Sequence, residues 1–308
     1  MNQFINYQKR LLQRRSFFII LYIKLNHMKK PTNYVKNYIK NYIDESVWDI
    51  EDNIDDDNKE LVLNEIKKFI KNNYEYINID RCEFVLDEKK NKYIINYNSS
   101  VTLKSNSEQL TNGMFEWGVI DSDFSCMDCG KLRSLEGAPK KVGYSFDCSR
   151  CEKLESLKGT PKEVGRWFDC SKCPELESLE GAPEVVGGFF DCSECPKLET
   201  LEGAPKTVGE EFSCRNNIRL KTLEGAPETV GDDFNCSKCP KLETLKGAPK
   251  TVGGDFNCYE CENLKTLKGA PKEVGGDFNC KKCPKLHSLK GVGVVRGNIN
   301  KDFRSNAH

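Results

Sequence analysis

The chain has 308 residues, 38% of them hydrophobic, and its 47 Lys plus Arg are balanced by 47 Asp plus Glu. That content can bury a substantial core, and a net charge of zero removes the global electrostatic case for nucleic acid or a membrane as partner. Charge is uneven locally: nine Lys or Arg and no acid lie between Met1 and Tyr42, then nine acids and one base, Lys59, between Asp44 and Glu60. Such blocks read as solvated surface.

In chain order, the longest apolar run is Phe17 to Ile23, far short of the roughly 20 residues that span a bilayer. Basic residues precede it as in a signal peptide, but Lys24-Leu25-Asn26-His27 comes next and no small-residue cleavage site appears. We read residues 1–27 as a basic leader outside the fold, with Met28 as the functional start. Sixteen cysteines in a chain without a convincing signal peptide point to reduced thiols in an intracellular, cytoplasmic compartment.

Residues 28–119 read as a small α+β module. Tyr34, Val35, Tyr38, Ile39, Tyr42 and Ile43 recur at helical spacing, and Leu61, Leu63, Ile66, Phe69 and Ile70 do so again. Glu83 to Leu86 and Tyr93 to Tyr97 read as a hairpin around Asn91, and Val101 to Leu103 as a further strand. Because a solenoid end must cover its hydrophobic face, the module is expected to cap the repeats C-terminal to it.

Residues 120–308 repeat with a period of 22. The phenylalanines stand at Phe124, Phe146, Phe168, Phe190, Phe212, Phe234, Phe256 and Phe278 with no insertion, in the pattern Phe-x-Cys-x-x-Cys-x-x-Leu-x-x-Leu. Periods of 20 to 50 residues mean a solenoid or a similar array. Phe146 and Cys148 alternate with Asp147 as in a short strand with one buried face, while Cys151, Leu154 and Leu157 carry the inward positions around the bend. Gly159, Pro161 and Gly165 exclude an α-helix on the outer side, so we expect one parallel sheet on one face and a tight extended or 3₁₀ return. The chain ends in a half-coil in which Asn298, Asn300, Lys301 and Asp302 are expected to form a polar cap over the strand edge.

The segment Phe234-x-Cys236-x-x-Cys239-x-x-Leu242 resembles the LxLxxCxxI core of cysteine-containing leucine-rich repeats. The Gly-Ala-Pro and Val-Gly-Gly-Asp-Phe signatures resemble those of short repeats in predicted bacterial, phage and giant-virus proteins. The resemblance covers residues 114–303 and implies a solenoid that mainly presents a binding surface. Two residues separate Cys from Leu here, and the strand starts without leucine, which leaves the curvature open.

Eight tandem cysteine motifs could be zinc half-sites, neighbouring coils could form disulfides, or the thiols could be structural. Asn217 favours the last. It stands where other repeats have their second Cys, and Asn is a poor substitute for a zinc thiolate but can donate a hydrogen bond to a backbone carbonyl. Cys148 and its equivalents then act as small core hydrophobes. The three histidines, His27, His287 and His308, have no partner in a triad or metal spacing, so we expect no enzyme and no cofactor.

Function is therefore sought on the outward strand positions. The slots before and after each Phe are mostly Asp, Glu, Asn or Ser, a face that suits a protein partner with a basic surface. Trp167 and Phe189 interrupt it side by side, as interface anchors do. The candidate patch comprises Trp167 and Phe189, bordered by Asp147, Asp169 and Asp191, with Tyr144 and Arg166 nearby. The expectation is a monomeric, non-enzymatic protein-interaction scaffold. The alternative is a metal- or redox-responsive protein acting through its cysteine columns.

Overall fold

The computed structural model describes residues 59–303. The leader and the expected helix over Tyr34 to Ile43 lie outside those residues. The second expected helix is α1, Lys59–Asn73, which buries Ile66 and Ile70 and places Glu60 in its first turn and Lys71 in its last, complementing the helix dipole. β1 (Tyr74–Glu75) comes next, then a 3₁₀ turn at Ile79–Arg81. β2 (Glu83–Asp87) and β3 (Lys92–Tyr97) form the expected antiparallel hairpin with Phe84 opposite Ile95. Asn91 adopts a φ of 52° at its turn, a conformation Asn tolerates better than most residues. β4 (Val101–Leu103) and β5 (Phe115–Ile120) complete this region.

From Phe124 onward each coil contributes two strands of two residues. One begins with the phenylalanine, from Phe124–Ser125 to Phe278–Asn279, and ends the series as Ile299–Asn300. The other precedes the Val-Gly corner, from Lys141–Val142 to Glu273–Val274, and ends as Val294–Val295. The phenylalanine strands stack behind β1 and β4 into one 11-stranded sheet, and the valine strands behind β2, β3 and β5 into another. The repeat strands are parallel to their neighbours and paired 22 residues on, as Phe168 is with both Phe146 and Phe190, until the last coil, where the offset is 21. The result is a β-solenoid of about nine turns with little helix.

This corrects the expectation of a single sheet. The outer return is itself a ladder, because the last two of the three residues between the Pro and Gly breaks are extended and fall in register with the equivalent pair one coil away, as Val185 and Val186 do with Thr207 and Val208. The repeats contain no 3₁₀ turn. Both sheets continue without interruption into the repeats, since β5 pairs with β3 and with Lys141–Val142 in one and β4 pairs with Phe124–Ser125 in the other.

One continuous core fills the solenoid. The repeat phenylalanines are fully buried and stack ring on ring, with centroids 5.1–5.5 Å apart. Cys148, Cys151, Leu154 and Leu157 and their equivalents complete each layer. Trp117 extends this core towards the N-terminus, where its Nε1 donates to the Tyr74 hydroxyl at 2.9 Å and that hydroxyl donates to the Leu110 carbonyl.

Two backbone devices set the coil spacing. At the Val-Gly corner a Cβ on Gly209 would lie 2.0 Å from the Gly187 carbonyl oxygen, so adjacent coils approach too closely for any side chain. Between the two cysteines of each motif the chain turns through a left-handed residue that is never glycine, for example Lys238 at φ 56°. The backbone N–H of that residue donates to the next coil, Lys238 to the Tyr259 carbonyl at 2.7 Å.

Candidate functional site

The bend between each valine strand and the next phenylalanine strand places one or two side chains per coil on the surface. Backbone hydrogen bonds stack these bends: Arg166 N–H donates to the Tyr144 carbonyl at 2.8 Å, and Gly188 N–H to the Arg166 carbonyl at 2.7 Å. Tyr144, Arg166, Trp167 and Phe189 therefore come together across three consecutive coils. The Arg166 guanidinium lies 5.5 Å from the Tyr144 ring centre and 5.2 Å from that of Trp167. The Trp167 and Phe189 rings are 5.8 Å apart, tilted by 51°. Gly188 leaves space for the indole, since a Cβ there would sit 3.2 Å from Trp167 Cδ1.

These aromatics are open to solvent, with Tyr144 50%, Trp167 44% and Phe189 36% exposed. A contiguous aromatic and guanidinium surface has the composition of an interface centre, where Trp, Tyr and Arg are enriched. Arg166 also gains from the ring faces, an attraction of about 0.5–1 kcal/mol at exposed sites.

Asp147, Asp169 and Asp191 share the outward face of the phenylalanine strands with Trp167 by simple alternation. Their carboxylates have work of their own. Asp147 Oδ1 accepts from the Ser149 N–H at 2.9 Å and its hydroxyl at 2.7 Å, and Asp169 and Asp191 accept from the N–H of Ser171 and Ser193 at 2.8 Å. Asn235, Asn257 and Asn279 make the same bond to the residue two further on. These are Asx turns that lead the chain out of the strand. Burial raises the carboxyls of Asp147 and Asp169 above the ordinary range, opposed by their serine hydrogen bonds and reinforced by the next aspartate along the column. The signal for this role was in the sequence, as Asp-Cys-Ser and Asn-Cys-Ser.

Beyond Phe189 the same bends turn acidic: Glu210 and Glu211, Asp232 and Asp233, Asp255, Asp277. Asp233 Oδ1 accepts the N–H of Asp255, Asp255 that of Asp277, and Asp277 that of Asn298, each at 2.7 Å. Asp123 does likewise for Ser145 at 3.1 Å. Trp167 and Phe189 cannot accept a hydrogen bond, so they give up this ladder where they occur. Partial burial raises the Glu211 carboxyl, with Asp233, Asp191 and Asp232 adding repulsion.

The cysteines form two interior columns, and none is in a disulfide. The second Cys of each motif donates to a carbonyl of the preceding coil: Cys151 to Cys126 at 3.1 Å, Cys173 to Cys148 at 3.3 Å and Cys261 to Cys236 at 3.3 Å. Asn217 takes this place in its coil, donating to the Cys192 carbonyl at 3.0 Å and to the Cys214 carbonyl at 2.9 Å. Burial pushes the Cys195 thiol up to about 12, against the lowering effect of a hydrogen bond from the Cys173 backbone N–H. Cys239 is likewise raised to about 12 by burial, against a backbone hydrogen bond from Asn217. Such thiols are poor nucleophiles at neutral pH. Among the described residues no group of three or more His, Cys, Asp or Glu is arranged to hold a metal ion, and no helix is long and apolar enough to cross a membrane.

No protein-family model, curated protein or solved structure matches this chain.

Proposed function

We propose that this solenoid is a non-enzymatic scaffold that binds another protein through the patch of Tyr144, Arg166, Trp167 and Phe189. The observation that carries the reading is the presence of two adjacent, solvent-open aromatics at positions whose equivalents Asp123, Asp233, Asp255 and Asp277 tie one bend to the next. Contacts with Arg166 and between the rings recover about 0.5–1 kcal/mol, yet the indole and phenyl ring stay open to solvent, and exposed aromatics supply interface anchors.

The partner has a basic surface next to an apolar side chain. The apolar element meets Trp167 and Phe189, and the cations meet the acidic bends that continue from Glu211 to Asp277. Asp147, Asp169 and Asp191 contribute charge at the border of the patch, while their principal role is to hold the turns. Helix α1 and strands β1 to β5 act as the cap that shields the N-terminal end of the core. The resemblance to leucine-rich repeats supports the reading at the level of fold, because stacked repeats of that kind mostly offer binding surfaces.

The test is affinity capture with the full chain and with the Trp167→Asp/Phe189→Asp variant, then identification of retained proteins. A basic protein held by the wild type and lost by the folded variant supports the proposal. An identical set retained by both sinks it.

A further inference from the structure

The two ends of the solenoid are finished differently. At the N-terminal end the sheets close with the antiparallel strands β1 and β2, and Ile66 and Ile70 of α1 are fully buried. Among the described residues the two sheets end on parallel strands, Val294–Val295 and Ile299–Asn300. Phe278 donates its N–H to the Asn298 carbonyl and Cys280 to the Asn300 carbonyl, each at 2.8 Å. Ile299 and Lys301 occupy the same two positions one coil later, and their N–H groups have no acceptor among the described residues.

The expected polar cap is only partly realised. Asp302 accepts the N–H of Lys282, standing in for the carbonyl that a further coil would offer, and Asn298 and Asn300 both turn back to bond Asp277. The core positions are more open than one coil earlier: Ile299 is 38% exposed where Phe278 is 0%, Val295 is half-buried where Val274 is 1% exposed, and a half-buried Phe303 packs against the core. This end is also basic. Residues 280–303 contain six Lys or Arg and one acid, a net charge of +5. Lys282 is paired with Glu260, but Lys281, Lys290, Arg296 and Lys301 make no ion pair among the described residues.

We infer that this edge is a second binding site, which takes an extended acidic segment of a partner protein as an added strand. Unpaired edge N–H groups are satisfied by the backbone of such a strand. Alternation of its side chains would set apolar residues beside Ile299 and acidic residues among the surrounding cations. A second copy of this chain fits poorly, because two-fold pairing of the edge would oppose the same cations.

The probe is a fluorescein-labelled octapeptide of alternating Glu and Val, titrated with the full chain and read by anisotropy, with a Lys-Val octapeptide and a pentathymidylate, whose phosphodiesters match the glutamates in number, as controls. The Glu-Val peptide should bind, more weakly as salt rises, and the two controls should not. Ile299→Pro, which removes one edge N–H, and Arg296→Glu/Lys301→Glu, which reverses the local charge without touching that N–H, should each weaken binding at least ten-fold while the thermal midpoint stays within a few degrees. The Trp167→Asp/Phe189→Asp variant should bind the probe as the wild type does, so this site stands or falls apart from the aromatic patch. Absence of Glu-Val binding, equal binding of the thymidylate, indifference to both edge variants, or a dimer in sedimentation that Ile299→Pro dissolves would each overturn the inference.

Discussion

Asn217 and Cys239 converge on one oxygen: the Asn217 amide donates to the Cys214 carbonyl at 2.9 Å from its own coil, and the Cys239 thiol donates to it at 3.4 Å from the next. Asn217 also accepts the Cys195 N–H at 2.7 Å, the group that in the other coils faces a thiol sulfur. Amide and thiol thus perform the same interior task. The position selects a short side chain that both donates and accepts.

Removing that side chain should be costly, and swapping it cheap. Asn217→Ala leaves a buried N–H without its acceptor and removes a donor from two buried carbonyls, for an expected loss of about 3 kcal/mol. Asn217→Cys restores the pattern of the other coils and should cost about 1 kcal/mol or less. Denaturant unfolding of the two variants separates them, and equal losses would contradict the ladder.

The left-handed residue between the cysteines carries a steric penalty in almost every coil. An L side chain in this region costs roughly 1–2 kcal/mol, while Gly and Asn enter it more easily. The fifth repeat uses Asn216 there, at φ 59°. Lys238→Asn should therefore raise stability by about 0.5–1 kcal/mol, read as a higher thermal midpoint.

Crowding at the Val-Gly corner predicts the opposite sign. A methyl group on Gly209 meets backbone, which cannot rotate away, so Gly209→Ala must push two coils apart in one sheet. The expected cost is about 3 kcal/mol, at the upper end of overpacking effects. Near-native stability would show that the coils separate freely.

Asp147 and Asp169 predict a pH effect. Burial raises their folded-state carboxyls, so the folded chain holds these protons more tightly than the unfolded chain. Their contribution is most favourable below the unfolded carboxylate range and is lost as pH rises through the raised value. Asn keeps the Asx turn, as Asn235 does with Ser237 at 3.1 Å. Asp147→Asn/Asp169→Asn should therefore raise the thermal midpoint at pH 7 by a few degrees, with a domain of this size gaining about 2–4 °C per kcal/mol. The gain should vanish near pH 3; a gain that persists there would point to packing instead of charge.

Much of this was legible in the residues. The 22-residue period assigned the coils, the phenylalanines their core stack, and Asn217 the character of the cysteine columns, because every copy reports on the same slot and one exception exposes its chemistry. The second sheet was not legible, since two extended residues between Pro and Gly carry too short a pattern to declare a strand until a neighbouring coil lies beside them. The work done by the aspartates had a local signal, Asp-Cys-Ser and Asn-Cys-Ser, that charge overshadowed: charge suggests a binding face, whereas the nearest N–H two residues on makes each carboxylate part of a turn.

Periodicity alone dictated that coil would stack on coil, because an unbroken repeat can bury its apolar positions only against its own copies. Which polar side chains remained available was decided in three dimensions. Stacking consumed Asp123, Asp233, Asp255 and Asp277 as acceptors for the next coil, left Tyr144, Arg166, Trp167 and Phe189 together in the open, and left the N–H groups of Ile299 and Lys301 in the last described coil without an acceptor among the described residues.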